Sequence, residues 1–589
     1  MRLPFLNKLR RVPKYKNPPN EARMDEAPPP RYEASVQDEV PPLDQDQARP
    51  VNETSTSRTI SSTRFWVLSI GICFGLFLSI VDSSIVATSL YTIGTEFGDL
   101  RSINWVALAY TLAYLGCSVA FAHVSDVIGR RNAFVLAFVL FCAFSLASGF
   151  AKSLHQLIAF RTIQGIGGSG LYSLTMVILP EVCPPQLFKF LGSLIGMVVA
   201  ASGVLGPVLG GLLTEYTRWR WIFWINGPIC LVSAVTFTLS WPSNQQNSPR
   251  QRLQWKNFDY FGTFLIISAS VLVVFAFQNA GDSFYDVWSK SIFIAPLAAG
   301  LVCWGGVFIW AFLVDNGHIG SSLAPALPFV LFKNRHYTSA ALTTLLIGYP
   351  YLQIVFTFPT RAQVVSGKSV LVSGLELLPM IGGSAFGSII SGIVNSKKNF
   401  LAETITAGCG LTVLGCGLLT MIRTSADDAK ALGYLVFSGL GFGLSTAAAT
   451  MIVTFEAPIA FTAPAHGILA QMRILGGSIG IATASVLLRT KIAETMGGHV
   501  SPGDRQILSK GLGGLDQHKQ LAVIDAYSTA FRTGMMVSSI IASVAVLVSL
   551  VGFRKKRLNM SKQREGLFRE EEIRLANMNT ANHNQQTTA

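Results

Sequence analysis

An aspartate and an arginine stand where charge is costly. Asp82 lies in LSIVDSSIVA and Arg161 in LIAFRTIQGIGG, each inside an apolar run. A charged side chain at lipid depth costs several kcal/mol unless paired or hydrated, so each marks either a functional group or a buried pair. Gly75, Ser79, Asp82, Ser83 and Val86 recur at offsets of three and four, which puts small and polar groups on one helical face. Gln164, Gly165, Gly168, Tyr172 and Thr175 do the same beside Arg161. Two such inward faces fit a site coupling cargo to protons through Asp82, Arg161 and Gln164. The alternative is a structural ion pair holding helices together. Glu376 and Arg473 stand early in their own runs, where snorkelling to the interface is the simpler reading.

Those faces require helices that cross lipid, and the composition provides them. Half of the residues are hydrophobic and only 13% are charged, which describes an all-α polytopic membrane protein. About fourteen apolar runs could each cross a hydrocarbon core of roughly 30 Å. They begin near Phe65, Asn104, Ala133, Leu157, Phe190, Trp221, Tyr260, Ser291, Tyr337, Leu371, Leu401, Ala431, Pro464 and Phe531. Residues 1–64 are polar, proline-rich and mixed in charge, so they read as a disordered cytoplasmic tail without a cleavable signal, and the first span acts as its own anchor. Arg130 and Arg131, Lys189, Arg250, Arg252 and Lys256, Lys333 and Arg335, and Lys397 and Lys398 fall in alternate loops, and Arg554 to Arg557 close the last span on the same side. By the positive-inside rule both termini are cytoplasmic. The opposite loops also hold charges, notably Arg218 and Arg220, there set among acidic residues or tryptophans. The net charge of +14 is then mostly topology, and no basic stripe interleaved with aromatics supports nucleic-acid binding. Single cysteines without metal or redox spacing, and His123, His155, His318 and His336 scattered along the chain, form no set for an enzyme, metal site or cofactor. His123 is most simply an interfacial residue.

The loop lengths suggest six spans, two more, then six: a bundle over 65–242, an insert over 243–336, a bundle over 337–553 and a cytoplasmic tail over 554–589. RTIQGIG at Arg161 is echoed by LVFSGLG at Leu435, so the glycine framework repeats while the arginine becomes leucine. Between the last two spans, Arg489–Arg532 reads as a covering loop; the apolar spacing of Leu521, Ile524 and Tyr527 suggests an interfacial helix instead. The sequon at Asn52 should be unused on a cytoplasmic tail.

Three further stretches carry spacing of interest. In FAHVSDVIGRRN, Asp126 precedes Arg130 by one helical turn, so the tight turn through Gly129 to Arg131 can serve as a charged latch. In SGVLGPVLGG, Gly203, Gly206, Pro207, Gly210 and Gly211 fall at offsets 0, 3, 4, 7 and 8, one nearly bare face. Such a face admits a close helix neighbour, and the proline removes a backbone hydrogen bond, so the stretch reads as a hinge and seal, or as a static seam. AQVVSGKS at 362–369 looks like a phosphate loop, but Ala362 replaces the first glycine and no strand precedes it, so nucleotide binding is rejected.

Together these residues resemble a known group. FAHVSDVIGRR is similar to the GxLaDrxGrk signature of the major facilitator superfamily, the Arg161 stretch to its lxxxRxxqGxg signature, and SGVLGPVLGG to the antiporter motif gxxxGPxxGG. VDSSIVA resembles the first-span motif of fourteen-span drug:proton antiporters, and SGLELLP and GGSIG look typical of fungal members. Ala122, Ser125, Val127 and Ser202 depart mildly from those patterns. The resemblance implies a major facilitator fold of two six-helix bundles plus two inserted helices. It also implies proton-coupled efflux of a small amphiphilic compound by a plasma-membrane monomer whose partners are substrate, protons and the bilayer. The alternatives are a vacuolar transporter of basic amino acids and an uncoupled facilitator. Tyr110, Tyr114, Tyr349 and Tyr351, with Glu376 as a weaker member, are candidate pocket-lining residues. Gly206→Leu is expected to block export while leaving the protein folded.

Overall fold

In lipid every backbone polar group needs an internal partner, and a helix supplies it within one segment. The computed structural model meets this condition with helices throughout. It describes residues 62–86, 89–98, 103–184, 187–242, 254–281, 290–318, 323–395, 399–458, 461–495 and 517–553. Among them are fourteen helices long and apolar enough to cross a membrane. The elements of the first part are α1 (Ser62–Ile85), α2 (Leu90–Phe97), α3 (Asn104–Ile128), α4 (Arg130–Gly149), α5 (Leu154–Val182), α6 (Phe188–Tyr216), α7 (Trp221–Trp224) and α8 (Asn226–Ser240). Next come α9 (Tyr260–Gly281) and α10 (Ser291–Asp315), then α11 (Phe329–Lys333), α12 (Arg335–Val365), α13 (Val370–Leu375) and α14 (Leu378–Val394). The chain continues through α15 (Leu401–Leu419), α16 (Asp428–Glu456), α17 (Thr462–Thr495) and α18 (Gln517–Leu550).

Helices α1, α3, α4, α5 and α8 pack chiefly on one another, as do α12, α14, α15, α16, α17 and α18, while α6 packs on α1 and equally on the second set. The two sets meet where α6 lies on α13, α14 and α16, and where α17 lies on α3 and α5. Glycines set the closest approaches. A β-carbon on Gly165 would stand 2.5 Å from the Tyr110 carbonyl of α3, and one on Gly167 2.5 Å from the Phe141 amide of α4. In the echoed stretch Gly439 lies in the same way on Met380 of α14, and a β-carbon on Gly441 would stand 2.5 Å from the Gly408 carbonyl of α15. Each glycine pair therefore seats its helix on the second and third spans of its own set. Leu435, where Arg161 has its counterpart, is simply buried.

The inserted spans form a hairpin. Asp259, buried at the start of α9, accepts hydrogen bonds from Gly262 N (2.7 Å), Trp310 Nε1 (3.0 Å) and Ala326 N (3.1 Å), which ties α9, α10 and the following connection together. Helix α9 touches both α3 and α17, and Gln471 Nε2 of α17 donates to Ser270 Oγ at 2.5 Å. Helix α10 leaves Leu301, Val302, Ile309 and Phe312 exposed, a side suited to lipid.

Two expectations change. Leu521, Ile524 and Tyr527 belong to the first turns of α18, so they begin the last spanning helix rather than a covering loop or a separate interfacial helix. That span opens earlier than its apolar run because polar residues such as Gln520 and Asp525 can occupy its end, where a helix reaches water. Residues 1–61, Asn52 among them, lie outside the described residues, as do Arg250, Arg252, Lys397, Lys398, residues 496–516 and the tail from Arg554.

Candidate functional site

Asp82 on α1 and Arg161 on α5 form an ion pair with no solvent exposure on either side chain. The carboxylate is held further. Gln164 Nε2 donates to Asp82 Oδ1 at 3.0 Å, and Asn226 Nδ2, at the start of α8, donates to the same oxygen at 3.0 Å. Arg161 Nη1 also donates to Gln164 Oε1 at 2.9 Å, and its guanidinium lies 4.1 Å from the Tyr110 ring centre and 5.5 Å from that of Phe223. Behind Asn226, Ser145 of α4 accepts a second hydrogen bond at 3.0 Å and donates to the Phe223 carbonyl at 2.9 Å. Side chains from five other helical elements thus gather around one acid. Arg161 Nη2 has no partner, so the network has a vacant donor where the charge resides.

From Arg161 a column of tyrosines crosses toward the second set of helices. Tyr110 donates to the Ser79 carbonyl at 2.7 Å and stacks on Tyr114 with ring centres 5.7 Å apart; Tyr114 lies 5.8 Å from Tyr172. Gly168 makes room: a β-carbon there would meet Tyr110 Oη at 2.6 Å. Tyr172 then accepts a hydrogen bond from Arg473 Nη1 of α17 at 3.4 Å. Arg473 therefore does not snorkel. It is buried well inside α17, on the part of that helix that meets α5 of the first set. Tyr351 of α12 is also buried and stacks on Phe442 of α16 at 3.6 Å; Tyr349, its near neighbour, packs beside Gly480.

The α3–α4 turn is built as its sequence suggests. Gly129 has φ of 90°, a conformation that side-chain-bearing residues rarely adopt, and this allows α4 to start immediately after α3 ends. Arg130 bonds Asp126 at 2.7 Å, Ser125 Oγ at 2.5 Å and Glu181 of α5 at 3.3 Å. Arg131 points elsewhere, to the Thr238 carbonyl of α8 at 3.5 Å. At this end the two helix sets are in contact: Ala122, Val177 and Ala463 form one cluster, and a β-carbon on Gly467 would stand 2.9 Å from that of Ala122. His123 is buried against Phe258, ring centres 4.4 Å apart.

On α6 the glycines have different neighbours. Gly206 lies directly on Ser84 and Val81 of α1, while a β-carbon on Gly203 would meet only Val355 of α12, at an ordinary 3.6 Å. The helix runs unbroken past Pro207, Gly210 and Gly211. A leucine at 206 could not leave the protein folded as it is, because no space separates α6 from α1 at that point.

Residues 72–481 match the sequence profile of the Major Facilitator Superfamily. The chain belongs to that superfamily. It is 30% identical over 534 residues to the MFS-type transporter FPY5 of Fusarium mangiferae, with 87% of this chain and 88% of the relative covered. It is 28% identical to the efflux pump roqT of Penicillium rubens, over 84% of this chain and 91% of that one. Among solved structures, a bacterial homologue of the human lysosomal transporter Spinster superposes with a TM-score of 0.50 at 16% identity, covering 84% of this chain and 100% of that one, a likeness of fold.

This major facilitator chain is a multi-pass membrane transporter of small molecules, not an enzyme. Glu376 lies apart from the tyrosines. It pairs with Lys368, which also bonds Asp428 at 2.7 Å, and Asp428 takes Arg361 at 3.2 Å. Burial weighs against the charge on Lys368, but the hydrogen bonds to Asp428 and Glu376 outweigh it and raise its pKa. The lysine of the false phosphate loop is thus one corner of an ionic cluster that ties α13 to α12 and α16. Asn226, Ser145 and Glu181 escaped the sequence reading. Asn226 had a signal, an amide in the apolar WINGP run.

At the end away from the latch, Glu96 of α2 accepts from Trp219 Nε1 at 2.5 Å and from Arg220 Nη1 at 2.6 Å. Burial alone would raise the pKa of Glu96; the two hydrogen bonds overcome it and hold the carboxyl below its usual range. Arg220 among tryptophans is therefore a clamp on the neighbouring loop.

Proposed function

We propose that this transporter exports small amphiphilic organic compounds in exchange for protons, by rocking its two helix bundles about the Asp82–Arg161 site. The observation that carries this reading is a carboxylate without solvent exposure, held by one arginine, Gln164 and Asn226. An acid so placed has two sharply different states. Ionised, it binds Arg161; protonated, it is neutral at lipid depth and frees the guanidinium. A transporter that alternates between conformations favouring each state moves a proton per cycle, and cargo binding biases the same equilibrium. Relatives named as efflux pumps support the export direction.

In this reading residues 65–242 and 337–553 are the rocking units, 243–336 the insert, and the protein acts as a monomer. Asp126, Gly129 and Arg130, with Glu181, latch the cytoplasmic end, and Arg131 fastens the turn to α8. Gly203, Gly206, Pro207, Gly210 and Gly211 form the seam along which α6 moves. Both termini face the cytoplasm and the membrane is the plasma membrane. A vacuolar location and uncoupled transport are the alternatives.

The test is Asp82→Asn in proteoliposomes with an imposed pH gradient. Gradient-driven uphill transport should be lost while exchange of labelled for unlabelled substrate at equal pH persists. Undiminished uphill transport would remove Asp82 from the mechanism.

A further inference from the structure

Three arginines are buried among the described residues, and two have carboxylates: Arg161 pairs with Asp82 and Arg361 with Asp428. Arg473 pairs with none. The residue is 9% exposed, its Nη1 makes one long hydrogen bond to Tyr172 Oη, and its Nε has no partner. Tyr351 and His466 sense its charge and neither supplies an anion, and Glu181, which His466 also senses, is bonded to Arg130.

The surroundings are those of a binding site rather than a structural pair. Tyr172 comes from the first helix set and Tyr351 and Phe442 from the second, and Arg473 of α17 bonds Tyr172 and lies close enough to Tyr351 to act on it electrostatically. Tyr114 extends the aromatic surface on one side and the stacked Tyr351 and Phe442 on the other. A guanidinium is always charged and presents several donors in one plane, a fork that suits a carboxylate or another planar oxyanion. Burying it without a counter-ion is unfavourable, and a bound anion removes that penalty. Flat aromatic neighbours supply apolar contact for a ring system attached to the anion.

We infer that Arg473 recognises the anionic group of the cargo, and that the substrates are aromatic or otherwise apolar organic acids. The inference rests on the efflux reading for direction, but the anion site itself can be tested by binding alone. The probes are pyrenebutyrate, a fluorescent amphiphilic carboxylate, its methyl ester, and the cation ethidium. Binding to purified full-length protein is followed by fluorescence, and transport by uptake into proteoliposomes carrying a pH gradient.

The wild type should bind pyrenebutyrate in preference to the ester. Arg473→Gln should lower that preference about tenfold or more, the worth of a hydrogen bond to a charged group, and Arg473→Lys should restore part of it. Glutamine replaces an unpaired buried charge with a neutral group, so the variant should fold, and gel filtration checks this. Equal loss for both probes, or a wild type that favours the ester or ethidium over the carboxylate, overturns the inference. Carboxylate binding that depends on Arg473 without gradient-driven uptake of any probe overturns export and leaves the anion site standing.

Discussion

Gly203 and Gly206 stand one helical turn apart in the same motif, yet a methyl group should do opposite things at the two positions. At Gly206 it would overlap Ser84 Oγ, stand 2.9 Å from Ser84 Cβ and lie 3.2 Å from the Val81 carbonyl. Overpacking of this kind costs about 1–3 kcal/mol. Ser84 cannot easily turn away, because its hydroxyl is already bonded to the Val81 carbonyl at 3.0 Å. At Gly203 the methyl would make one ordinary contact with Val355, and replacing a helical glycine with alanine gains about 0.5–1 kcal/mol. Unfolding in mixed SDS micelles should then show Gly206→Ala less stable than Gly203→Ala by about 1–3 kcal/mol, the overpacking cost, because the helical gain is common to both positions. Ser84→Gly removes both clashing atoms, so the Gly206→Ala/Ser84→Gly pair should be more stable than additivity allows by about 1–2 kcal/mol. If Gly206→Ala is as stable as Gly203→Ala, or if the pair is additive, the close approach of α6 to α1 is not what this glycine provides.

Two further outcomes follow from individual bonds. Asn226→Ala removes one donor from the buried Asp82 carboxylate and should cost about 1.5–3 kcal/mol in the same unfolding assay, whereas Asn132→Ala, an exposed amide on α4, should be near neutral. The carboxyl of Glu96 is held below its usual range by Trp219 and Arg220, so its contribution is present above the pKa of the unfolded chain and is lost as pH falls through the lower folded value. Acidification into that window should free the buried Trp219 and change its fluorescence, and Glu96→Gln should abolish the acid-dependent part; an unchanged acid transition in that variant would break the link.

The site residues were legible in unequal degree. Asp82 and Arg161 could be found because a charge inside an apolar run is anomalous at any position, whatever it faces. Arg473 was equally anomalous, but its fate depended on whether a neighbouring helix covered it, and helix α17 turns it toward Tyr172. Glu376 showed the reverse, a charge near a helix end that finds Lys368 rather than cargo. Glu181 stood near the end of its helix, where an acid attracts no notice until Arg130 is seen beside it.

What the sequence alone determined is the set of quantities that accumulate along a chain: the fourteen apolar runs, the glycine face of α6, the Gly129 turn and the echo between Gly165 and Gly439. Helix period and lipid thickness are local constraints, so one segment suffices to read them. Partners are not local. Asn226 is 144 residues from the carboxylate it holds, and Tyr172 is 301 residues from Arg473. Which buried charge is paired and which is left open depends on how two sets of helices meet, and that only the tertiary structure decided.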